Sequence, residues 1–166
     1  MSEPLSAPNY RRLQSASEAA SNAKRRNFAK GTKPELLLRQ RLWALGLRYR
    51  LHRSDLPGKP DLVFARQRVA VFIDGDFWHG RDWLERKARL GKGHNAGYWQ
   101  AKIEYNMERD CLNTRLLERA GWRVIRLWEG VIRASVDATA GVVAEALGAG
   151  LPKPNSPRAR LHRVCS

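Results

Sequence analysis

Two short apolar runs separated by three polar residues are the feature that most restricts the fold of this chain. The runs are Asp61–Ala65 and Val69–Ile73, with Arg66-Gln67-Arg68 between them. Such runs are too short for helices and predict two antiparallel strands joined by a tight turn. Asp61 opens the first run and Asp74 follows the second. Pairing of the strands would therefore bring two carboxylates together.

The flanking sequence predicts helices packed on a small sheet. Thr32-Lys33-Pro34-Glu35 has the pattern of a capping box, and Gly46 is suited to end the helix that it opens. The predicted helices cover about 32–45, 98–120 and 135–147, and the predicted strands cover 47–52, 61–65, 69–73 and 124–128. This α-β-β-β-α-β-α order predicts an α/β fold with a mixed sheet flanked by helices.

The two ends of the chain differ in composition from its middle. Residues 1–25 are rich in Ser, Ala, Asn and Arg without an apolar period, and residues 151–166 carry three prolines and scattered arginines. Both are predicted to be flexible basic segments, which leaves one domain at 26–150.

The charge predicts a polyanionic partner. The net charge is +15, and the middle of the chain keeps +7 when residues 1–31 and 152–166 are set aside. Such an excess favours nucleic acid or an anionic membrane. No apolar run reaches the ~18 residues of a membrane span, and the N-terminus lacks the apolar stretch of a secretory signal. Nucleic acid in the cytoplasm is therefore the expectation.

Asp61 and Asp74 are candidate metal ligands. Pro60 restricts the backbone just before Asp61, which leads directly into a buried strand, and a rigid carboxylate suits Mg²⁺. Either aspartate alone is equally typical of a turn, since Asp74 precedes Gly75. Two carboxylates on paired strands are how a metal-dependent nuclease builds its cation site.

The turn after the second strand carries His79 and two adjacent aromatic residues. A neutral imidazole can take a proton from water near pH 7, although a histidine beside aromatic rings is often structural. Phe77 and Trp78 are adjacent on one turn, and they are not both expected to belong to the core. One of them is predicted to insert between nucleic-acid bases.

Four further polar residues each have a structural interpretation. Glu35 is explained by the capping box alone. Lys102, Asn106 and Asp110 follow at i, i+4 and i+8 and share one helix face. Such a stripe is usually solvated, but beside Tyr98-Trp99 it also suits contact with a substrate.

Four segments together resemble the very-short-patch-repair (Vsr-type) mismatch endonucleases over about residues 22–147: PGKPDLVF, VFIDGDFWHG, YWQAKIEYNMERD and GWRVIRLWE. The resemblance implies a restriction-endonuclease-like fold of the PD-(D/E)XK type. It implies Mg²⁺-dependent hydrolysis of one strand of double-stranded DNA at a T:G mismatch. It also implies a bacterial, nucleoid-associated enzyme with mismatch-repair proteins as partners, and a monomer is the default expectation.

The resemblance assigns a role to most of the candidate residues. Asp61 and the main-chain carbonyl of Ile73 match the metal ligands, and His79 matches the histidine that activates water. Asp74 stands where relatives carry His or Asp, and Glu35 and Asp110 match further acids of the active-site motif. The aromatic residues that enter the duplex are matched by Phe77, Trp78 and Trp99.

The sequence departs from the family at a structural zinc site. The positions of the four zinc ligands are occupied by Asp76, Arg81, Trp83 and Gly130. A site with no thiolate and no imidazole does not hold structural zinc, so none is expected. Packing, with Trp83 as a candidate, is predicted to hold this region instead. The catalytic lysine of the wider superfamily falls at Asp76, which leaves its role to His79.

Two alternative functions remain open at this stage. A Vsr-like nicking nuclease of restriction, mobile-element or phage-defence systems would lack mismatch specificity. A degenerate module would only bind nucleic acid, but it has no need for clustered acids near phosphate. Preference for a T:G duplex separates the repair enzyme from the first alternative.

Overall fold

The computed structural model describes residues 7–8, 31–91 and 95–148. The predicted flexible segments at 1–25 and 151–166 lie outside the described residues, apart from Ala7 and Pro8. The elements follow in the order α1 (Lys33–Ala44), β1 (Arg50–Leu51), β2 (Leu62–Phe64), β3 (Val69–Asp74), α2 (Trp83–Leu90), α3 (Ala96–Arg119), β4 (Arg123–Trp128), α4 (Glu129–Ala134) and α5 (Val136–Ala146). None of the described helices is long and apolar enough to cross a bilayer.

The four strands form one mixed sheet in the order β1-β2-β3-β4. β1 pairs with β2 and β2 with β3 in antiparallel fashion, so the predicted hairpin is confirmed. β3 and β4 are parallel, with Phe72 opposite Arg126 and Asp74 opposite Trp128. The connection from β3 to β4 contains α2 and α3, as a parallel pair requires a crossover. The sheet with helices on both faces confirms the predicted fold class.

Side chains along β3 point alternately to the two faces of the sheet, and each face packs in its own hydrophobic cluster. Val69, Val71 and Ile73 face the larger core, which they share with Leu38 and Leu42 of α1 and with side chains of α4 and α5. Ala70 and Phe72 face the other side and pack with Leu117 of α3. Because side chains alternate along a strand, Asp74 also lies on the α3 side.

The structure adds two helices that the sequence pattern did not predict, α2 and α4. No helix was predicted between the strand at 69–73 and the helix at 98–120, but Trp83–Leu90 is helical although none of its residues is buried. α4 follows β4 directly. Its six residues are too few to show a helical period. β1 is also shorter than predicted. It ends before His52, whose φ of +45° leaves the extended region.

Removal of a core side chain should be costly only where the structure buries it. Leu127 of β4 is 3% exposed, in the larger core. We expect Leu127→Ala to lower the free energy of unfolding by roughly 2–5 kcal/mol, because it leaves a cavity. Leu84 of α2 is 86% exposed, and Leu84→Ala serves as the matched control. We expect a change within about 0.5 kcal/mol there. Equal losses in urea denaturation of the two variants would contradict this core.

Candidate active site

An open cavity of about 600 Å³ lies at the end of β3, between the sheet and α3. Four sequence-predicted residues line it: Asp61, Asp74, His79 and Asp110. Ile73 lines it as well. The other lining residues are mostly basic or polar, and include His52, Lys59, Arg109, Asn113 and Arg126. The fold thus brings together acids that are up to 49 positions apart in the chain.

Asp61 is held rigidly at the entrance of β2. Its Oδ2 accepts a hydrogen bond from the Ile73 amide at 2.7 Å, and its carbonyl accepts one from the His52 amide at 3.1 Å. Burial raises the pKa of Asp61 to about 6, against the opposing effect of the Ile73 amide. The negative charges of Glu35 and Asp74 raise this pKa further. Burial and these two negative charges therefore both disfavour the ionised form of Asp61.

Glu35 is both a helix cap and a neighbour of Asp61. The Glu35 amide donates to the Thr32 hydroxyl, and the Glu35 carboxylate accepts from the Gly31 amide at 2.7 Å. The side chain of Glu35 is only 4% exposed, and its Oε1 lies 3.4 Å from Nε2 of His52. The Nδ1 of His52 lies 3.8 Å from Oδ1 of Asp61. His52 therefore connects the two acids.

Arg126 is the centre of the acid cluster on the α3 side. Its Nε and Nη2 donate to the two carboxylate oxygens of Asp74, both at 2.7 Å. Nη2 also lies 3.1 Å from Oδ2 of Asp110, and Nη1 donates to the Asp110 carbonyl at 3.3 Å. The guanidinium lies 4.7 Å from the ring of Phe72, its partner in the β3–β4 register. These contacts fix both aspartates.

His79 completes this cluster from the turn after β3. Its Nδ1 forms a hydrogen bond with Oδ2 of Asp110 and lies 3.5 Å from Oδ1 of Asp74. Burial lowers the pKa of His79, but the bond to Asp110 and the charges of Asp74 and Asp110 outweigh it. The pKa is therefore raised, although Arg126 opposes the rise. Since Asp110 accepts the Nδ1 proton, Nε2 is the atom left for a substrate or water.

Sequence reasoning missed both His52 and Arg126. Arg126 had a usable signal, because it is a charged residue inside the apolar run Val124–Trp128. A buried arginine is rarely found without acidic partners. His52 had no comparable signal, because it stands at the end of a strand with alternating character and only the fold places it between two acids.

Two parts of the site offer ligands to a cation. Asp74, His79 and Asp110 each present one ligand atom, and these atoms lie within 4.8 Å of one another, so the group could hold a metal ion. Asp61 is a separate oxygen donor whose pKa is raised by burial. A hard cation such as Mg²⁺ would relieve the charge at Asp61, so this carboxylate fits the expected metal.

The aromatic cluster, comprising Phe77, Trp78, Tyr98 and Trp99, adjoins His79. The ring centroids of Phe77 and Trp78 are 5.0 Å apart, and those of Trp78 and Trp99 are 5.8 Å apart. All four residues are half-buried. The cluster therefore joins the turn after β3 to the start of α3 and keeps part of its surface accessible.

The polar stripe of α3 is mostly buried. Asn106 donates from Nδ2 to the Trp78 carbonyl at 2.9 Å, and it faces the interior together with Asp110. Lys102 is half-buried, with its ammonium 5.2 Å from the ring of Tyr105. Asn106 thus fixes the backbone of the turn, while Lys102 keeps the more accessible position of the two.

An ion pair holds the region where the resemblance placed zinc ligands. Arg81 donates from Nη1 to Oδ1 of Asp76 at 3.0 Å, and the Arg81 amide donates to the Asp76 carbonyl at 3.2 Å. Both side chains lie against Gly130, where an added Cβ would be 2.5 Å from each of them. Three of the four zinc-ligand positions therefore contact one another: Asp76 and Arg81 form the ion pair, and Gly130 is the residue on which it packs. Trp83 is half-buried, and its ring lies 5.9 Å from the ammonium of Lys87.

Comparison with known proteins gives a family and several relatives. The family described as DNA mismatch endonuclease Vsr matches residues 15–85. A type II nicking enzyme of Neisseria meningitidis serogroup C is 48% identical over 121 residues, which are 73% of this chain and 80% of that relative. The chain belongs to the Vsr family of DNA endonucleases. The sequence resemblance is thereby confirmed.

Two further Vsr relatives show the range of similarity. A type II nicking enzyme of Haemophilus parainfluenzae is 52% identical over 99 residues, 60% of this chain and 69% of the relative. The DNA mismatch endonuclease Vsr of Escherichia coli is 33% identical over 102 residues, 61% of this chain and 64% of the relative. The Vsr family has a restriction-endonuclease-like fold, in agreement with the mixed sheet described above.

The buried charge of Asp61 should destabilise the free protein. Above pH 6 the folded state must keep Asp61 ionised despite its raised pKa, whereas below its ordinary value of 3.8 both states bind the proton. We therefore expect Asp61→Asn to raise the free energy of unfolding by roughly 2–3 kcal/mol at pH 8 in chelator, and the gain to shrink as the pH falls towards 4. Denaturant unfolding at several pH values measures this gain.

Glu108→Gln is the control for Asp61→Asn, because Glu108 is exposed on α3. We expect it to change stability little at either pH. A gain from Asp61→Asn that is absent at pH 8, or equal at both ends of the range, would contradict the burial of an uncompensated charge.

Gly130→Ala should displace the Asp76–Arg81 ion pair and the turn that carries His79. Gly130 and Gly97 are the second residues of α4 and α3, but the space at Gly97 is open within 4 Å. We expect Gly97→Ala to leave DNA cleavage unchanged. We expect Gly130→Ala to reduce cleavage roughly tenfold or more, because a small displacement of a catalytic group is costly. Equal cleavage rates of the two variants would show that the ion pair does not hold the turn.

Proposed function

We propose that this Vsr-family enzyme nicks one strand of duplex DNA at a T:G mismatch in a divalent-metal-dependent reaction. The observation that carries the proposal is the pairing of His79 with Asp110 in the same cavity as Asp61. A base oriented by a carboxylate, next to a second carboxylate that suits a hard cation, is the arrangement that phosphodiester hydrolysis requires.

Asp61 and the main-chain carbonyl of Ile73 would hold the metal, with Mg²⁺ as the expected ion. The Ile73 amide already orients Asp61, so both groups belong to one rigid pair of strands. A bound Mg²⁺ stabilises negative charge that builds up on the phosphate oxygens. The raised pKa of Asp61 supports this assignment, because a bound cation would stabilise the ionised form of a carboxylate that burial disfavours.

His79 acts as the general base in this proposal. Its Nδ1 is held by Asp110, so Nε2 accepts the proton of the attacking water. Asp74 does not take this proton, because both of its oxygens accept hydrogen bonds from Arg126. Lys59 and Arg109 line the same cavity and supply positive charge for the DNA backbone.

The aromatic cluster supports selectivity for a mismatch. Insertion of Phe77 and Trp78 into the duplex would cost roughly a few kcal/mol of base unstacking per step. A mismatched pair lowers this cost. Trp99 packs on Trp78 at 5.8 Å and supports the inserting ring from α3.

A second candidate function is nicking without mismatch specificity. Five relatives that are 41–52% identical to the chain are named type II nicking enzymes, whereas the mismatch endonuclease of Escherichia coli is 33% identical. These names support a nicking enzyme, and they agree with nicking at a mismatch as well as with nicking that does not depend on one. A module that only binds DNA is disfavoured by the membership in an endonuclease family.

A nicking assay with Mg²⁺ tests the proposal. It compares a T:G duplex with its T:A and C:G counterparts and includes Asp61→Ala. We expect nicking of the T:G duplex alone and its loss in Asp61→Ala. Equal nicking of all duplexes would favour the second candidate. Binding without any nicking would reject both.

Trp78→Ala tests the contribution of the aromatic cluster in the same assay. We expect the rate ratio between T:G and paired duplexes to fall roughly tenfold, because loss of one stacking contact costs about 1–3 kcal/mol. Trp43→Ala is the matched control, since Trp43 is 54% exposed and packs with Tyr49 and Arg48 outside the cluster. A ratio unchanged in Trp78→Ala would remove the wedge from the proposal.

A further inference from the structure

We propose that the cavity contains a second phosphate-binding site, which holds the DNA backbone beside the scissile phosphate and in which Lys59 is the positioning residue. The site is built from the turn at residues 56–59 and from Arg109 and Asn113 of α3, and residues of both line the cavity. The inference rests on the proposed cleavage of DNA in this cavity.

The part of the cavity next to this turn offers hydrogen-bond donors. Asn113 lies one turn of α3 beyond Asp110, and Arg109 precedes Asn113 by four residues, so the two share one side of the helix. Ser54 and Lys59 line the cavity from the chain before β2. All four lining side chains can donate a hydrogen bond, and two of them are cations at neutral pH. This part of the cavity therefore suits an anion.

Lys59 provides the positive charge that is available to such an anion. Arg109 is already in contact with an acid, since its Nη2 lies 3.5 Å from Oδ1 of Asp110. Lys59 is exposed at the cavity, and among the residues that the structure describes its ammonium forms no ion pair. A phosphate bound here would give Lys59 a partner of opposite charge.

The backbone of Lys59 has a conformation that is unfavourable for a lysine. The Lys59 amide donates to the Leu56 carbonyl at 3.0 Å and closes the turn, in which Gly58 has a φ of +73°. Lys59 follows with a φ of +53°, a left-handed conformation that glycine adopts with less strain. Charge for solubility alone can be carried by a residue in any backbone conformation. A lysine at this strained position therefore indicates a use for its side chain.

The turn is fixed against α3. A Cβ added to Gly58 would lie 3.0 Å from Nδ2 and 3.1 Å from Cβ of Asn113, so the turn packs closely on the helix. Lys59 is the next residue, and Asp61 follows two positions later at the entrance of β2. The position of Lys59 is thereby set relative to both Asp61 and Asp110. A cation held in this way fixes the register of the DNA backbone as well as attracting it.

Lys59→Gly tests the site, because it removes the charge and suits the left-handed backbone. DNA binding is measured at several salt concentrations in chelator, and the nicking rate constant is measured at saturating DNA in Mg²⁺. We expect the slope of log K against log salt to fall by about one, as for the loss of one phosphate contact. We expect the rate constant to fall roughly tenfold or more, because the scissile phosphate is less well positioned. The urea midpoint should be no lower than that of the wild type.

Arg68→Gly is the matched control. Arg68 is an exposed cation with a φ of +52°, in the turn at the opposite end of β3 from Asp74. We expect its salt slope and its nicking rate constant to match those of the wild type. Lys59→Arg should recover most of the rate, because it keeps the charge that the phosphate contact needs.

Four results would overturn the inference. Equal losses of salt slope in Lys59→Gly and Arg68→Gly would show only a general effect of net charge. An unchanged nicking rate constant in Lys59→Gly, or no recovery in Lys59→Arg, would exclude a positioning role. A urea midpoint of Lys59→Gly below that of the wild type would assign Lys59 to the stability of the turn.

The two readouts distinguish this inference from the proposed function. Binding without nicking of any duplex by the wild type would reject the function, and a salt slope lower by about one in Lys59→Gly would still support the site. Nicking of the T:G duplex alone, together with an unchanged salt slope in Lys59→Gly, would retain the function and reject the second phosphate site.

Discussion

The parallel pairing of β3 with β4 is the constraint on which the site depends. It sets Phe72 opposite Arg126 and Asp74 opposite Trp128, two residues further along. Because parallel neighbours in register point to the same face, Asp74 and Arg126 both face α3. Asp110 of α3 then meets them, and His79 is drawn to Asp110 from the turn after β3. A shift of one residue in this register would turn Arg126 into the apolar core.

The site separates two kinds of buried negative charge. Asp74 and Asp110 are both paired with Arg126 within the protein, which donates hydrogen bonds to the two Asp74 oxygens and to the Asp110 carbonyl. Asp61 is oriented by the Ile73 amide, burial raises its pKa to about 6, and no lysine or arginine among the described residues forms an ion pair with it. A buried charge lowers the stability of the folded state unless it is paired. In this site the unfavourable contribution falls mainly on Asp61. Replacement of Asp61 is therefore expected to raise the free energy of unfolding and to remove DNA nicking, because the same buried carboxylate costs stability and would hold the metal.

Part of the fold and of the site follows from the sequence, and the errors have physical causes. The hairpin was predictable because apolar runs around Arg66-Gln67-Arg68 leave few alternatives. The helix α2 was missed because it buries no residue and so shows no core-facing period. Asn106 belongs to a stripe that looked solvated or substrate-facing, yet it donates to the Trp78 carbonyl. Hydrogen-bond partners of polar side chains on one helix are set by other elements, and a local pattern does not contain them.

The sequence by itself determined the family, the α/β class and the acids at the ends of the two central strands, because these depend on local patterns and on motif order. Only the tertiary structure decided which charges are paired. It placed Arg126 between Asp74 and Asp110, His52 between Glu35 and Asp61, and the Asp76–Arg81 pair against a glycine. Each of these arrangements brings together residues from separate segments of the chain. Their energies depend on distance and burial, which exist only once the sheet and its helices are assembled.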